Sequence, residues 1–92
     1  MSDIEENFNN SLEIIKSLVQ FTDINEKTFL YKYYKQATEG DINYSKPTGM
    51  FNILAVKKWE EWNSLKGITQ DNAKKIYTEF VHSLEKKYEK KI

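Results

Sequence analysis

Cysteine and arginine are both missing from this 92-residue chain, and histidine and proline occur once each. Without cysteine there is no disulfide framework and no thiolate zinc or redox site. The lone histidine, His82, has no second imidazole with which to share a metal, and its neighbours suggest no activated nucleophile; a solvent-facing helix position is expected for it. No run of about twenty apolar residues occurs. The amino-terminal stretch is polar and acidic rather than basic and then apolar, so neither a membrane span nor a secretory signal is expected. These absences lead us to expect a soluble, intracellular, cytoplasmic chain with no stable membrane insertion. Strand-like alternation, internal repeats, low-complexity segments and a glycine-rich phosphate loop are absent as well.

Lysine is what the chain has in abundance. Fourteen lysines balance fourteen acidic residues, leaving no net field to draw the molecule onto nucleic acid, which is not an expected partner. The distribution along the chain is uneven. Residues 1 to 30 hold two lysines against six acids, whereas residues 31 to 58 hold five against two, so positive charge concentrates where tyrosines also cluster. A modest anion could bind there.

Apolar spacing predicts four helices in one domain spanning residues 1–92. Ser2 and Glu5 have the spacing of a capping box, followed by Ile4, Phe8, Leu12, Ile15 and Leu18 or Val19 at helical intervals. Asp23 with Glu26 offers a second cap, and Phe29, Leu30, Tyr33, Tyr34 and Ala37 form the next stripe, which Gly40 ends. From Asp41 to Phe51 the period is lost among turn formers, which predicts a long ordered loop. Asn52 is the expected cap of a third helix carrying Leu54, Ala55, Trp59, Trp62 and Leu65 and stopped by Gly67. Thr69 is the expected cap of a fourth, with Ala73, Ile76, Tyr77, Phe80, Val81, Leu84 and Tyr88 on its stripe. The predicted fold is an all-α four-helix bundle with skewed up-down packing and a long loop between the second and third helices. The lysine-rich carboxyl end reads as a frayed, solvated helix terminus.

On the second helix Tyr31, Tyr34 and Lys35 stand at i, i+3 and i+4, so two phenol rings and an ammonium share one face. Such a face can grip an aromatic base and a phosphate together. The plainer reading has the tyrosines completing the core with Lys35 solvated. Trp59 and Trp62 read mainly as core anchors. Asp41 reads as a loop hydrogen-bonding group, and Glu60 and Glu61 form no carboxylate dyad.

The run Tyr31-x-x-Tyr34-Lys35-Gln36-Ala37-Thr38-x-Gly40-Asp41, then Lys46-Pro47 near Gly49-Met50, then Lys58-Trp59-x-x-Trp62-Asn63-x-Leu65-Lys66-Gly67, with Ala73 four residues before Tyr77, closely resembles the acyl-CoA-binding protein family. The resemblance extends from about Phe8 to Tyr88. It implies a four-helix fold that binds long-chain acyl-CoA esters in a surface bowl and catalyses nothing. By that resemblance Tyr31, Lys35 and Lys58 hold the 3′-phosphate of the nucleotide, Tyr34 lies against the adenine, and Tyr77 and Lys16 contact the ligand. Lys32 and Tyr33, in the same cluster, join the expected ligand-binding set. Leu54 stands where many members place a lysine, Thr48 looks inserted between Pro47 and Gly49, and Glu61 replaces a commonly small residue. Lys27 and Thr28 stand where relatives are usually apolar and touch the acyl chain, which bears on chain-length preference.

The ligand's chemistry fits these residue types. Charge-assisted bonds from Lys35 and Lys58 to a phosphate are worth roughly 1.5 to 3 kcal/mol each, and stacking on Tyr34 roughly 1 to 3 kcal/mol. A buried sixteen-carbon tail adds on the order of 10 kcal/mol before ordering costs. The tail then dominates affinity while the head sets specificity. The expectation is a monomeric carrier of long-chain acyl-CoA that delivers it to acyl-CoA-using enzymes, with no cofactor and no metal. The competing expectation is a helical interaction module whose aromatic face takes a partner helix. No residue set supports an acyl-CoA hydrolase or transferase.

Overall fold

The computed structural model describes residues 3–49 and 51–91. Ser2, the expected cap of the first helix, and Met50 of the loop lie outside them. Four helices account for most of the described residues: α1 (Asp3–Leu18), α2 (Ile24–Glu39), α3 (Ile53–Asn63) and α4 (Gln70–Lys87). A turn of 3₁₀ helix, Val19–Phe21, joins the first two, and another, Glu89–Lys91, follows α4. Asp3, Glu5 and Glu6 in the first turn of α1 suit the positive pole of its dipole.

The caps explain where the helices begin. Asp23 accepts from the Glu26 backbone N–H at 2.8 Å while Glu26 accepts from that of Asp23 at 3.0 Å, a complete capping box at the start of α2. Thr69 accepts from the Asn72 N–H at 3.1 Å and opens α4. Asn52 does not cap α3 as expected. Its side-chain amide donates instead to the Thr48 carbonyl at 2.8 Å, bracing the loop before the helix. The third helix also ends at Asn63, earlier than Gly67, and Leu65 is buried from the turns that follow.

Packing is lopsided. α4 lies along both α1 and α2, whereas the principal contact of α3 is with α2. The Cα envelope measures 41 × 33 × 15 Å, a slab rather than a symmetric bundle. Phe8, Leu18, Leu30, Ala37, Ala73, Tyr77, Val81, Leu84 and Tyr88 form the core between α1, α2 and α4. Phe29 stacks on Phe80 at 4.1 Å between centroids and closes one flank. Leu54 and Ala55 are exposed, contrary to the stripe expected for α3, because no helix covers the outer half of α3. Trp59 is only half-buried, and its indole N–H donates to the Tyr44 carbonyl at 2.8 Å, pinning the long loop.

A buried polar latch ties α3 to the rest. Gln36 is fully buried and its amide donates to Asp41 at 2.8 Å and to the Ile68 carbonyl at 2.7 Å. Its oxygen accepts from the Trp62 indole at 3.1 Å, which is shared with the Gly40 carbonyl at 3.0 Å. Asp41 also accepts from the Gly67 N–H at 2.9 Å, and that hydrogen bond with the one from Gln36 holds its carboxyl below the usual range. Gly40 and Gly67 sit at φ +81° and +97°, a left-handed backbone that side-chain-bearing residues rarely adopt. Much of the Gln36-Ala37-x-x-Gly40-Asp41 and Trp62 to Gly67 pattern therefore has a structural job.

A second cluster anchors the carboxyl end. Glu26, nearly buried, accepts from the Lys87 ammonium and the Tyr88 hydroxyl, both at 2.6 Å, as well as from the Asp23 backbone. The end of α4 is therefore tethered to the start of α2, not frayed as expected. Burial pushes the Glu26 carboxyl up, but the bonds from Lys87, Tyr88 and Asp23 outweigh it and hold it at about 2. A carboxylate so depressed adds stability above pH 4.5, its ordinary value, and loses it as pH falls toward 2. We expect Glu26 to contribute about 2 kcal/mol at neutral pH, allowing for solvent around the half-exposed Lys87. Urea melts of wild type and Glu26→Gln should converge between pH 4.5 and 2; parallel stability curves would refute this role.

Candidate functional site

The shared face of Tyr31, Tyr34 and Lys35 opens to solvent. The Tyr34 ring stacks on Phe8 at 6.4 Å between centroids, yet Tyr34 remains 41% exposed. Tyr31 is half-buried beneath Lys58 of α3, whose ammonium stands 5.2 Å above its ring. Lys35 lies 5.3 Å from the Trp62 ring and donates to Glu39 at 2.7 Å. Two ammonium groups thus rest on aromatic faces, Lys58 on Tyr31 and Lys35 on Trp62. Burial raises the Tyr31 phenol above its ordinary value, Tyr44 adds to the rise, and Lys35 opposes it. The bond to Glu39 raises Lys35, which stays a cation.

Two lobes flank this face. One, about 360 Å³, runs between α2 and α3 and is walled by Ile24, Thr28, Leu54 and the stems of Lys57 and Lys58. The other, about 250 Å³, lies where α1, α2 and α4 meet, with Ile15, Val19, Leu30, Tyr34 and Tyr77 around it. Tyr31 and Lys27 line both. The larger lobe is mostly apolar, and Ile24 and Leu54 at its rim are exposed, a surface that favours a hydrocarbon occupant. The smaller lobe combines the phenol rings of Tyr31, Tyr34 and Tyr77 with Ile15, Val19 and Leu30. Tyr77 is 4% exposed, and burial, with Tyr34 nearby, pushes its phenol up to about 12, so it remains a neutral donor at any physiological pH.

The remaining expected contacts are arranged differently. Lys32 turns to α3 and bonds Glu61 at 3.1 Å, and that bond keeps the Glu61 carboxyl low despite its burial. Tyr33 packs on Phe29 at 4.6 Å, on the far side of α2 from Tyr31, since two residues along a helix is a turn of about 200°. Lys16 stands on the surface of α1, paired with Glu13 at 3.0 Å. None of these three lines either lobe. Tyr44 was not anticipated: it sits edge-on to Trp62 at 6.0 Å and acts on Tyr31 from the long loop, where no periodicity could flag it. Ile15, Val19 and Leu54 fit helix stripes, yet they wall the lobes, as does Ile24, which falls on no predicted stripe.

Residues 5–81 match the family model described as Acyl CoA binding protein. The chain is 38% identical over 85 residues to the acyl-CoA-binding protein homolog of Drosophila melanogaster, an alignment covering 92% of this chain and 98% of that protein. Its fold is similar to the crystal structure of Oryza sativa acyl-CoA-binding protein 2, with a TM-score of 0.86 and 29% identity over 97% of this chain and 98% of that one. The crystal structure of ACBP from Moniliophthora perniciosa superposes with a TM-score of 0.80 and 34% identity, covering 95% and 83%.

Proposed function

The chain belongs to the acyl-CoA-binding protein family, and from that membership we propose that it carries long-chain acyl-CoA esters, holding the nucleotide head and the acyl tail together and catalysing no reaction on them. The observation that carries this reading is Tyr31, a wall common to both lobes, with the Lys58 ammonium above its ring and Lys35 one turn further along α2, outside either lobe. A phosphate set between Lys35 and Lys58 gains charge-assisted bonds that neither aromatic perch supplies. The phenol-lined lobe offers Tyr34 as a stacking surface for adenine, with the Tyr77 hydroxyl as a donor. The hydrocarbon tail lies along Ile24, Thr28 and Leu54, where it covers apolar surface that water would otherwise meet. Lys16, Lys32 and Tyr33 have secondary parts in this reading, since each is already engaged elsewhere.

Calorimetric titration tests it. Palmitoyl-CoA should bind one to one and tightly, with free coenzyme A and free palmitate each at least 100-fold weaker, because each lacks one of the two anchors. Comparable binding of all three would defeat the division between head and tail.

A further inference from the structure

Lys27 occupies the seam between the two lobes. It lines both, and its ammonium donates at 2.6 Å to the Thr22 carbonyl, just before α2 begins. The neighbouring cations of the tail lobe are better matched. Lys57 lies 3.6 Å from Glu61, and Lys58 stands over the Tyr31 ring. Lys27 takes part in no ion pair among the described residues; its partner is a neutral carbonyl. An ammonium carries three donors, and Thr22 uses one. The other two have no hydrogen-bond partner among the described residues, and the side chain that carries them lines a groove whose walls on one side are apolar.

If adenine takes the phenol-lined lobe and hydrocarbon the apolar one, the atoms crossing the seam are those where polar arm gives way to tail. In an acyl-CoA the last polar atom before the hydrocarbon is the thioester carbonyl oxygen. We infer that the Lys27 ammonium, held by Thr22, hydrogen-bonds that oxygen and thereby fixes where the tail begins. This rests on the reading of the groove as an acyl-CoA site. Lys27 is a positioning and selectivity residue in this account: no bond is made or broken. The stem of Lys27 is part of the wall with or without its charge, so the ammonium can be tested apart from the shape.

The experiment compares palmitoyl-CoA with S-hexadecyl-CoA, a thioether of equal tail length that has a methylene in place of the carbonyl, on wild type and on Lys27→Met. Methionine keeps an unbranched stem of similar reach and removes the donors; thermal melts verify that the variant is folded. Wild type should prefer the thioester by about tenfold, as expected for one bond to a charged donor. Lys27→Met should bind the two within about twofold of each other, the tenfold preference for the thioester being lost. A variant that keeps the wild-type ratio, or a wild type that does not distinguish the ligands, overturns the inference while leaving the carrier reading intact. Wild type binding neither ligand overturns the carrier reading itself, and the inference with it.

Discussion

Trp62→Ala is expected to destabilise the protein by roughly 3 to 5 kcal/mol, the cost of emptying a large buried aromatic site. Trp62 is 2% exposed, and its indole N–H is shared between Gln36 and Gly40. Its loss leaves the fully buried Gln36 amide oxygen without its donor, where solvent does not easily replace it. A domain of this size has a total stability on the order of 5 to 14 kcal/mol, so the change removes a large share of it. Trp62→Phe is expected to cost less. It keeps a six-membered ring in the site while losing the donor and part of the bicycle, at about 1 to 3 kcal/mol. Urea denaturation monitored by helical circular dichroism checks both values. A Trp62→Ala unfolding free energy within about 1 kcal/mol of wild type would mean that the latch is not coupled to the core.

The largest effect on binding is expected from Tyr31→Ala. This ring is the wall common to both lobes, the perch of the Lys58 ammonium and the phenol nearest the proposed phosphate. Its removal should cost about 2 to 3 kcal/mol of palmitoyl-CoA affinity, or roughly 30- to 150-fold, whether or not the ligand bears a 3′-phosphate. Lys35→Ala should behave differently. Lys35 already holds Glu39 at 2.7 Å and must share that partner to meet a phosphate. Its loss should be near tenfold for the complete ligand and small for the dephospho ester. Equal losses for both ligands would mean that Lys35 does not serve the phosphate. A Tyr31→Ala protein that folds and binds within threefold of wild type would place the ligand outside the groove.

The candidate site was legible in sequence where its geometry is local. Tyr31, Tyr34 and Lys35 share a face because helical pitch alone puts i, i+3 and i+4 together. The same pitch puts Tyr33 about half a turn from Tyr31 and Lys35, so neighbours in the chain face different ways, and Tyr33 packs on Phe29 instead. Lys32 and Lys35 look alike in the chain, yet Lys32 meets Glu61, twenty-nine positions away. Leu54 and Ala55 fit a helical stripe, but periodicity says which residues share a face and not whether another helix covers it. The tether of Lys87 and Tyr88 to Glu26 spans 61 and 62 positions and left no local trace.

Sequence by itself determined the helices, the caps at Asp23 and Thr69, the stop at Gly40 and the ring-and-ammonium face of α2, because each depends on dihedral preferences and side-chain spacings within a few residues. Only the tertiary structure decided which lysines are already committed to carboxylates, which apolar residues are walls rather than core, and that Tyr31 and Lys27 stand at a seam between two lobes. Those outcomes depend on how α3 leans from α2 and how α4 is shared by α1 and α2, and such distances are fixed by packing between segments far apart in the chain.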